Sequence, residues 1–153
     1  MTHESLIREA VRLAQANAAR GGRPFGAVVA IDGEVVATGV NDIVHSHDPT
    51  AHAELEALRA ACRKLGRPHL PDAVVYASGH PCPMCLAALT MVGVRQVFYA
   101  FDNADAAPYG LSSEATYQAL RLSLSPPPLA LVRVPVEVSA AELYGARPPR
   151  APA

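Results

Sequence analysis

The sequence predicts an α/β fold with a mixed sheet between helical layers. Three observations carry that expectation. An Asp32-Gly33 turn separates two β-rich runs, short apolar runs alternate with segments of helical periodicity, and residues 73–78 are almost entirely apolar. The order hairpin, helix, strand, helix, strand, helix, strand calls for helices packed on both faces of one sheet.

Each element has its own local reason. In residues 5–19, Leu6, Ala10, Leu13 and Ala14, then Asn17 and Ala18, recur at helical spacing, with Ser5 as the cap and Gly21-Gly22 as the stop. Residues 25–31 and 34–40 are strands joined by Asp32-Gly33, because a type I′ turn needs positive φ at both central positions. Residues 41–50 form a polar loop holding His45, His47 and Asp48-Pro49. From Thr50 onward Leu55, Leu58, Cys62 and Leu65 make an apolar helical stripe that Gly66 ends.

The run at 73–78 suits a central strand covered on both faces. His80-Pro81-Cys82-Pro83-Met84-Cys85 then leads into an apolar helix at 86–92, followed by a strand at 95–101 and a helix at 114–122. Pro126-Pro127-Pro128 reads as a stiff connector, residues 129–138 as the last strand, and the proline-rich tail from Arg147 as frayed.

At 153 residues the chain is expected to form one domain spanning 1–153, large enough to bury a core unaided. Its formal charge of −1 offers no basic surplus to a polyanion, so a nucleic-acid partner is not expected. Arg59, Arg63, Lys64 and Arg67 are spaced as one solvated helix flank. Three cysteines, with no signal-like N-terminus, argue against a disulfide framework and for a cytoplasmic protein. No run of about 18 apolar residues occurs, so no membrane span is expected.

Two short motifs carry chemistry: His52-Ala53-Glu54 and Pro81-Cys82-Pro83-Met84-Cys85, each at a helix start. A catalytic zinc takes three protein ligands and leaves one position for water, and His52, Cys82 and Cys85 form such a set. Unpaired N–H groups at a helix start lower the thiol pKa and favour the thiolate. Glu54 would be the free carboxylate that moves protons during hydrolysis of an amine on a heteroaromatic carbon. Alone, the Cys-x-x-Cys pair also fits a redox couple or another metal. Cys62, on the apolar stripe, reads as core.

These motifs resemble the cytidine-deaminase-like superfamily, and the zinc-deaminase signature of His-x-Glu followed by Pro-Cys-x-x-Cys is a known pattern. Within it the chain is similar to bacterial guanine deaminases and other nucleobase deaminases. Pro24-Phe25-Gly26-Ala27-Val28, Asn41, Asp48-Pro49-Thr50-Ala51 and Val97-Phe98-Tyr99-Ala100 add to the likeness, which runs over residues 23–107. The resemblance implies a three-layer α/β/α sandwich with a mixed five-stranded sheet, a Zn²⁺ cofactor and a homodimer. It implies that His52, Cys82 and Cys85 hold zinc and that Glu54 is the general acid/base. It further implies that Asn41 bonds the base, Phe25 walls or stacks on it, and the Ala53 N–H holds a ring carbonyl.

The chain departs from the guanine-deaminase pattern at His80, where Glu is common, and at Ser112-Ser113, where acidic residues are common. His80 is therefore assigned to substrate contact, to orienting the metal loop or to packing. His45 and His47 read as solvated loop residues near the mouth, Asp105 and Tyr109 as pocket or surface, and Tyr144 as a helix-end residue packed on the sheet.

The expected activity is hydrolytic deamination of a small guanine-like base with release of ammonia. Isocytosine, cytosine, pterins and aminotriazines share its amidine edge. A tRNA adenosine deaminase and a non-catalytic zinc module are the competing readings.

Overall fold

The computed structural model describes residues 1–123, 125–127 and 129–146. Helix α1 (His3–Ala19) is followed by strands β1 (Gly26–Ile31) and β2 (Glu34–Val40), and then by a single turn, α2 (Ile43–Ser46). Helix α3 (Ala53–Leu65), strand β3 (Ala73–Gly79), helix α4 (Pro83–Met91) and strand β4 (Gln96–Phe101) form the centre of the chain. Short helices α5 (Asn103–Ala106) and α6 (Glu114–Ala119), strand β5 (Ala130–Arg133) and helix α7 (Ala140–Tyr144) complete it.

The sheet runs β2-β1-β3-β4-β5. β1 is antiparallel to both β2 and β3, whereas β3–β4 and β4–β5 are parallel, so the sheet is mixed as expected. Alternation along each strand separates two cores. Ala27, Val29, Val75, Ala77 and Val97 face α3 and α4, while Val28, Ala30, Tyr76, Phe98 and Ala100 face α1 and α7. Period-2 side-chain geometry on a sheet with both faces covered gives this three-layer arrangement directly.

The hairpin turn forms as the Asp-Gly pair predicts, with Asp32 at φ 51° and Gly33 at φ 78°. Other boundaries move for local reasons. The cap of α1 is Thr2, whose hydroxyl accepts the Ser5 N–H at 3.1 Å, so Ser5 lies inside the first turn. α3 starts at Ala53 rather than Thr50, with His52 as its extended N-cap. α4 starts at Pro83, earlier than 86, because Cys82 caps it. α6 ends at Ala119 rather than Leu122, and Arg121 then turns at φ 54°.

The last strand is shorter than its alternation suggested. β5 covers Ala130–Arg133; the Val134 N–H makes a last bond to the Tyr99 carbonyl at 2.7 Å, and Val134, Val136 and Val138 pack on the α1-side core beyond the paired strand. The tail from Arg147 and Pro128 of the connector lie outside the described residues. Among the described residues no helix is long and apolar enough to cross a membrane.

Candidate active site

The antiparallel β1–β3 and parallel β3–β4 pairings bring the start of β1, the end of β3 and the end of β4 to one end of the sheet. There the chain leaves β3 through His80 and Pro81 and enters α4 at Cys82, while the loop before α3 brings in His52 from the helical layer on the same face. The α3 loop is braced by Asp48. Its Oδ1 accepts the Thr50 N–H at 2.8 Å and the Thr50 hydroxyl at 2.7 Å, and Arg59 donates to that hydroxyl at 3.0 Å.

Arg59 is therefore not a purely solvated flank residue, and Arg67 and Lys64 are also engaged, with Asp72 and the Val36 carbonyl.

His52, Cys82 and Cys85 each offer one ligand atom, and the three atoms lie within 4.8 Å of one another. The His52 Nδ1 is 3.3 Å from Cys82 Sγ and 3.5 Å from Cys85 Sγ. Tetrahedral zinc with ordinary Zn–N and Zn–S bonds would set such atoms about 3.5 Å apart, so the set fits that ion. The chemistry also fits. Cys85 as its hydrogen-bonding neighbour, and His52 beside it, hold the Cys82 thiol far down at about 4, and the Cys85 N–H points at its sulfur at 3.5 Å. The neighbouring Cys82 sulfur and burial push the Cys85 thiol up, as expected when two sulfurs share one proton in the absence of a cation.

Glu54 lies two residues beyond His52 in the first turn of α3, is buried, and places Oε2 3.5 Å from Cys85 Sγ. Burial first, and then the Cys82 charge, raise its carboxyl to about 7. A group poised there can both accept and return a proton near neutrality.

These residues open onto a cavity of about 400 Å³. Phe25, Asn41, Ala53 and His80, assigned to substrate on the sequence, all line it, as do Ser112 and Ser113. Asn41 is 3% exposed and its Oδ1 accepts the Ile43 N–H at 3.2 Å. The Ala53 N–H has no backbone partner among the described residues, as befits the first residue of a helix. His80 places Nδ1 2.9 Å from the Pro81 carbonyl and packs edge-on to Tyr99 and Tyr117; burial keeps its imidazole below its usual pKa.

Other polar candidates lie elsewhere. His45 sits 3.5 Å from Asp42 on the outer surface, and neither it nor His47 lines the cavity. Asp105 closes the capping box of α5 by accepting the Asp102 N–H and pairs with Arg133 at 2.8 Å, Tyr109 packs on the buried Tyr144, and Cys62 lies against the core.

Sequence reasoning missed Arg23, Met84 and Thr116 in the lining. It also missed the buried Tyr117, whose hydroxyl donates to the Pro81 carbonyl beside the thiol ligands. Arg23 sits in an irregular segment and Tyr117 is the single buried residue of the six-residue α6, so no repeating pattern marks either side chain as inward.

Comparisons with known proteins agree with this geometry. Residues 1–101 match the family model described as the cytidine and deoxycytidylate deaminase zinc-binding region. Guanine deaminase of Bacillus subtilis (strain 168) is 45% identical over 122 residues, which cover 78% of each chain. A tRNA-specific adenosine deaminase of Agrobacterium fabrum is 40% identical over 80 residues, covering 52% of this chain and 53% of that one. A solved structure of the Bacillus subtilis guanine deaminase superposes with a TM-score of 0.76 at 39% identity, covering 90% of this chain and 88% of that one. A guanine deaminase from Nitrosomonas europaea does so with a TM-score of 0.78 at 25% identity, over 94% and 83%.

Proposed function

The chain belongs to the cytidine and deoxycytidylate deaminase zinc-binding family, and from that premise we propose that its cavity hydrolyses the exocyclic amine of a free guanine-like base. The observation that carries this reading is the buried Glu54 carboxyl, 3.5 Å from Cys85 Sγ and beside a His/Cys/Cys set within 4.8 Å. A structural metal site needs no such free carboxylate.

His52 Nδ1, Cys82 Sγ and Cys85 Sγ would hold a Zn²⁺ ion. When bound, the ion supplies Lewis-acid activation of water. Glu54 takes a proton from the attacking water and delivers it to a ring nitrogen. After the water oxygen has bonded to the amine-bearing carbon, Glu54 carries the second proton to the amine, which leaves as ammonia. One water and one aminoheterocycle thus give one oxoheterocycle and one ammonia. Asn41 and the Ala53 N–H bond the ring, Phe25 walls it, and His80 meets it from the end of β3. The raised affinity of Glu54 for protons suits this back-and-forth role, and a nearby dication would draw its pKa down again.

The tRNA-directed reading draws on the adenosine deaminase relatives, but the chain's net charge of −1 provides little for a polyanion. The proposal also includes a single domain, a homodimer and a cytoplasmic location, the first two testable by limited proteolysis and sedimentation.

The decisive variant is Glu54→Gln, which keeps the volume and removes the titrating proton. With guanine, isocytosine, cytosine and a pterin as substrates, ammonia release in this variant is expected to fall by roughly 10²–10⁴-fold. Zinc content should stay at the wild-type level by elemental analysis. Wild-type rates in Glu54→Gln would refute the assigned mechanism, and a tRNA arm showing inosine formation would redirect the substrate.

A further inference from the structure

Among the described residues that line the cavity, Glu54, which the chemistry uses, is the one carboxylate, yet an arginine is there too. Arg23 is half-buried. Among the described residues its guanidinium has no hydrogen-bond acceptor and no carboxylate within 4.0 Å. A guanidinium facing a concave wall without a partner is an offer of up to five N–H donors.

Its neighbour in the lining is also a donor. Asn41 spends Oδ1 on the Ile43 N–H, which leaves its amino group for the cavity. The far loop offers hydroxyls and no carboxylate: the Ser113 hydroxyl donates to Asn103 Oδ1 at 3.2 Å and Ser112 Oγ accepts the Glu114 N–H at 3.2 Å, so neither serine brings a charged acceptor to the guanidinium.

The donors are launched from fixed backbone. Asn17 is 1% exposed, and its Nδ2 donates to the Arg23 carbonyl at 2.8 Å and to the Asn41 carbonyl at 2.7 Å. One buried amide thus ties together the two loops that present Arg23 and Asn41. Gly22 lets it do so, since a Cβ there would lie 2.6 Å from that same Nδ2.

We propose that Arg23 is a specificity residue that, with Asn41, recognises an oxygen acceptor on the ring, a carbonyl or its enolate, and so selects oxo-substituted aminoheterocycles over rings lacking that oxygen. The inference rests on the deaminase reading of the cavity and narrows its substrate class. A guanidinium donating to a ring oxygen and the adjacent ring nitrogen is a well-matched pair, and a site that leaves its own donors unpaired rejects an analogue without the acceptor.

The test compares guanine with 2-aminopurine, which keeps the 2-amino group and lacks the 6-oxygen. In zinc-loaded protein, Arg23→Ala is expected to lower kcat/KM for guanine roughly tenfold to a hundredfold, mainly through KM, and to leave 2-aminopurine within about threefold. Arg23→Lys should recover only part of the loss, because it keeps the charge without the fork. Equal losses on both bases, or none on guanine, would overturn the proposal.

Should wild-type protein release ammonia from neither base, the guanine-like reading fails by itself. Dissociation constants measured in a Glu54→Gln background then decide Arg23: weakened guanine binding with unchanged 2-aminopurine binding upholds it, and any other pattern removes it. Zinc content and circular dichroism check each variant, and Arg23→Gln replaces Arg23→Ala if the latter does not fold.

Discussion

Tyr117 touches neither a ligand atom nor the cavity, yet it controls the loop that holds two ligands. Its hydroxyl is buried and donates to the Pro81 carbonyl, the same oxygen that His80 Nδ1 approaches at 2.9 Å. Pro81 precedes Cys82, so this carbonyl sets the direction in which the chain enters α4 and where the Cys82 sulfur sits. Tyr117→Phe keeps the ring packing and removes one donor, and should cost about 1 kcal/mol in chemical denaturation. Zinc affinity, measured by competition with a chelating dye, should weaken by up to about tenfold because the ligand loop loses part of its orientation. Unchanged affinity would mean that His80 alone fixes the loop. At this scale the sequence was readable where function is written in close spacing, as in His52-x-Glu54 and Cys82-x-x-Cys85. Tyr117, in the short helix α6, and Arg23, in the loop after α1, meet the site through tertiary packing, and a lone aromatic or arginine has no local sign of what it will touch.

Among the elements, α3 and β2 meet backbone to backbone. A Cβ on Gly39 of β2 would stand 2.4 Å from the Ala53 carbonyl oxygen and 2.4 Å from the Ala57 N, both backbone atoms that cannot rotate away. The absence of a side chain at Gly39 therefore lets the first turn of α3, with His52 and Glu54 at its head, sit directly on the sheet. Gly39→Ala should push α3 outward, destabilising the fold by about 1–3 kcal/mol as an overpacked contact does. It should also reduce activity more than Tyr117→Phe. Thermal melts and the ammonia assay check both, and a variant with wild-type melting would show that α3 has room to shift. The larger elements were legible because each carries a periodic apolar pattern with a stop, such as Gly66 after α3 at φ 65°. The one-turn helices were legible only in the helix-end reading of Tyr144, which does close α7. α5 and α7 have four and five residues and rest on capping boxes, Asp102 with Asp105 and Ser139 with Glu142, too short to show any period. Residues 135–138 failed in the opposite sense, since alternation records which side is buried and not whether a neighbouring strand is there to pair.

For the whole molecule, the consequence of the sheet order is that the ligand set joins two helices of one layer and leaves the other layer untouched. His52 caps α3 and Cys82 caps α4, both packed on the core that Val29, Val75 and Val97 line, whereas α1 and α7 cover the opposite face. The ordered core is extensive on both faces, so the fold should persist without metal rather than collapse as a small zinc module would. Metal removal by chelation is accordingly expected to lower the melting temperature without abolishing the cooperative transition. With zinc at a hundredfold excess over its dissociation constant the difference should be about 2.7 kcal/mol. The loss should also be local, because without the cation nothing bridges the imidazole at the head of α3 to the two sulfurs of α4. Hydrogen exchange of the metal-free protein should rise in residues 50–56 and 80–88, while the amides of α1 and β1 keep their protection. Uniform acceleration across both layers would instead mean that the ion supports the entire fold, and a profile unchanged by chelation would mean that no ion is held between α3 and α4.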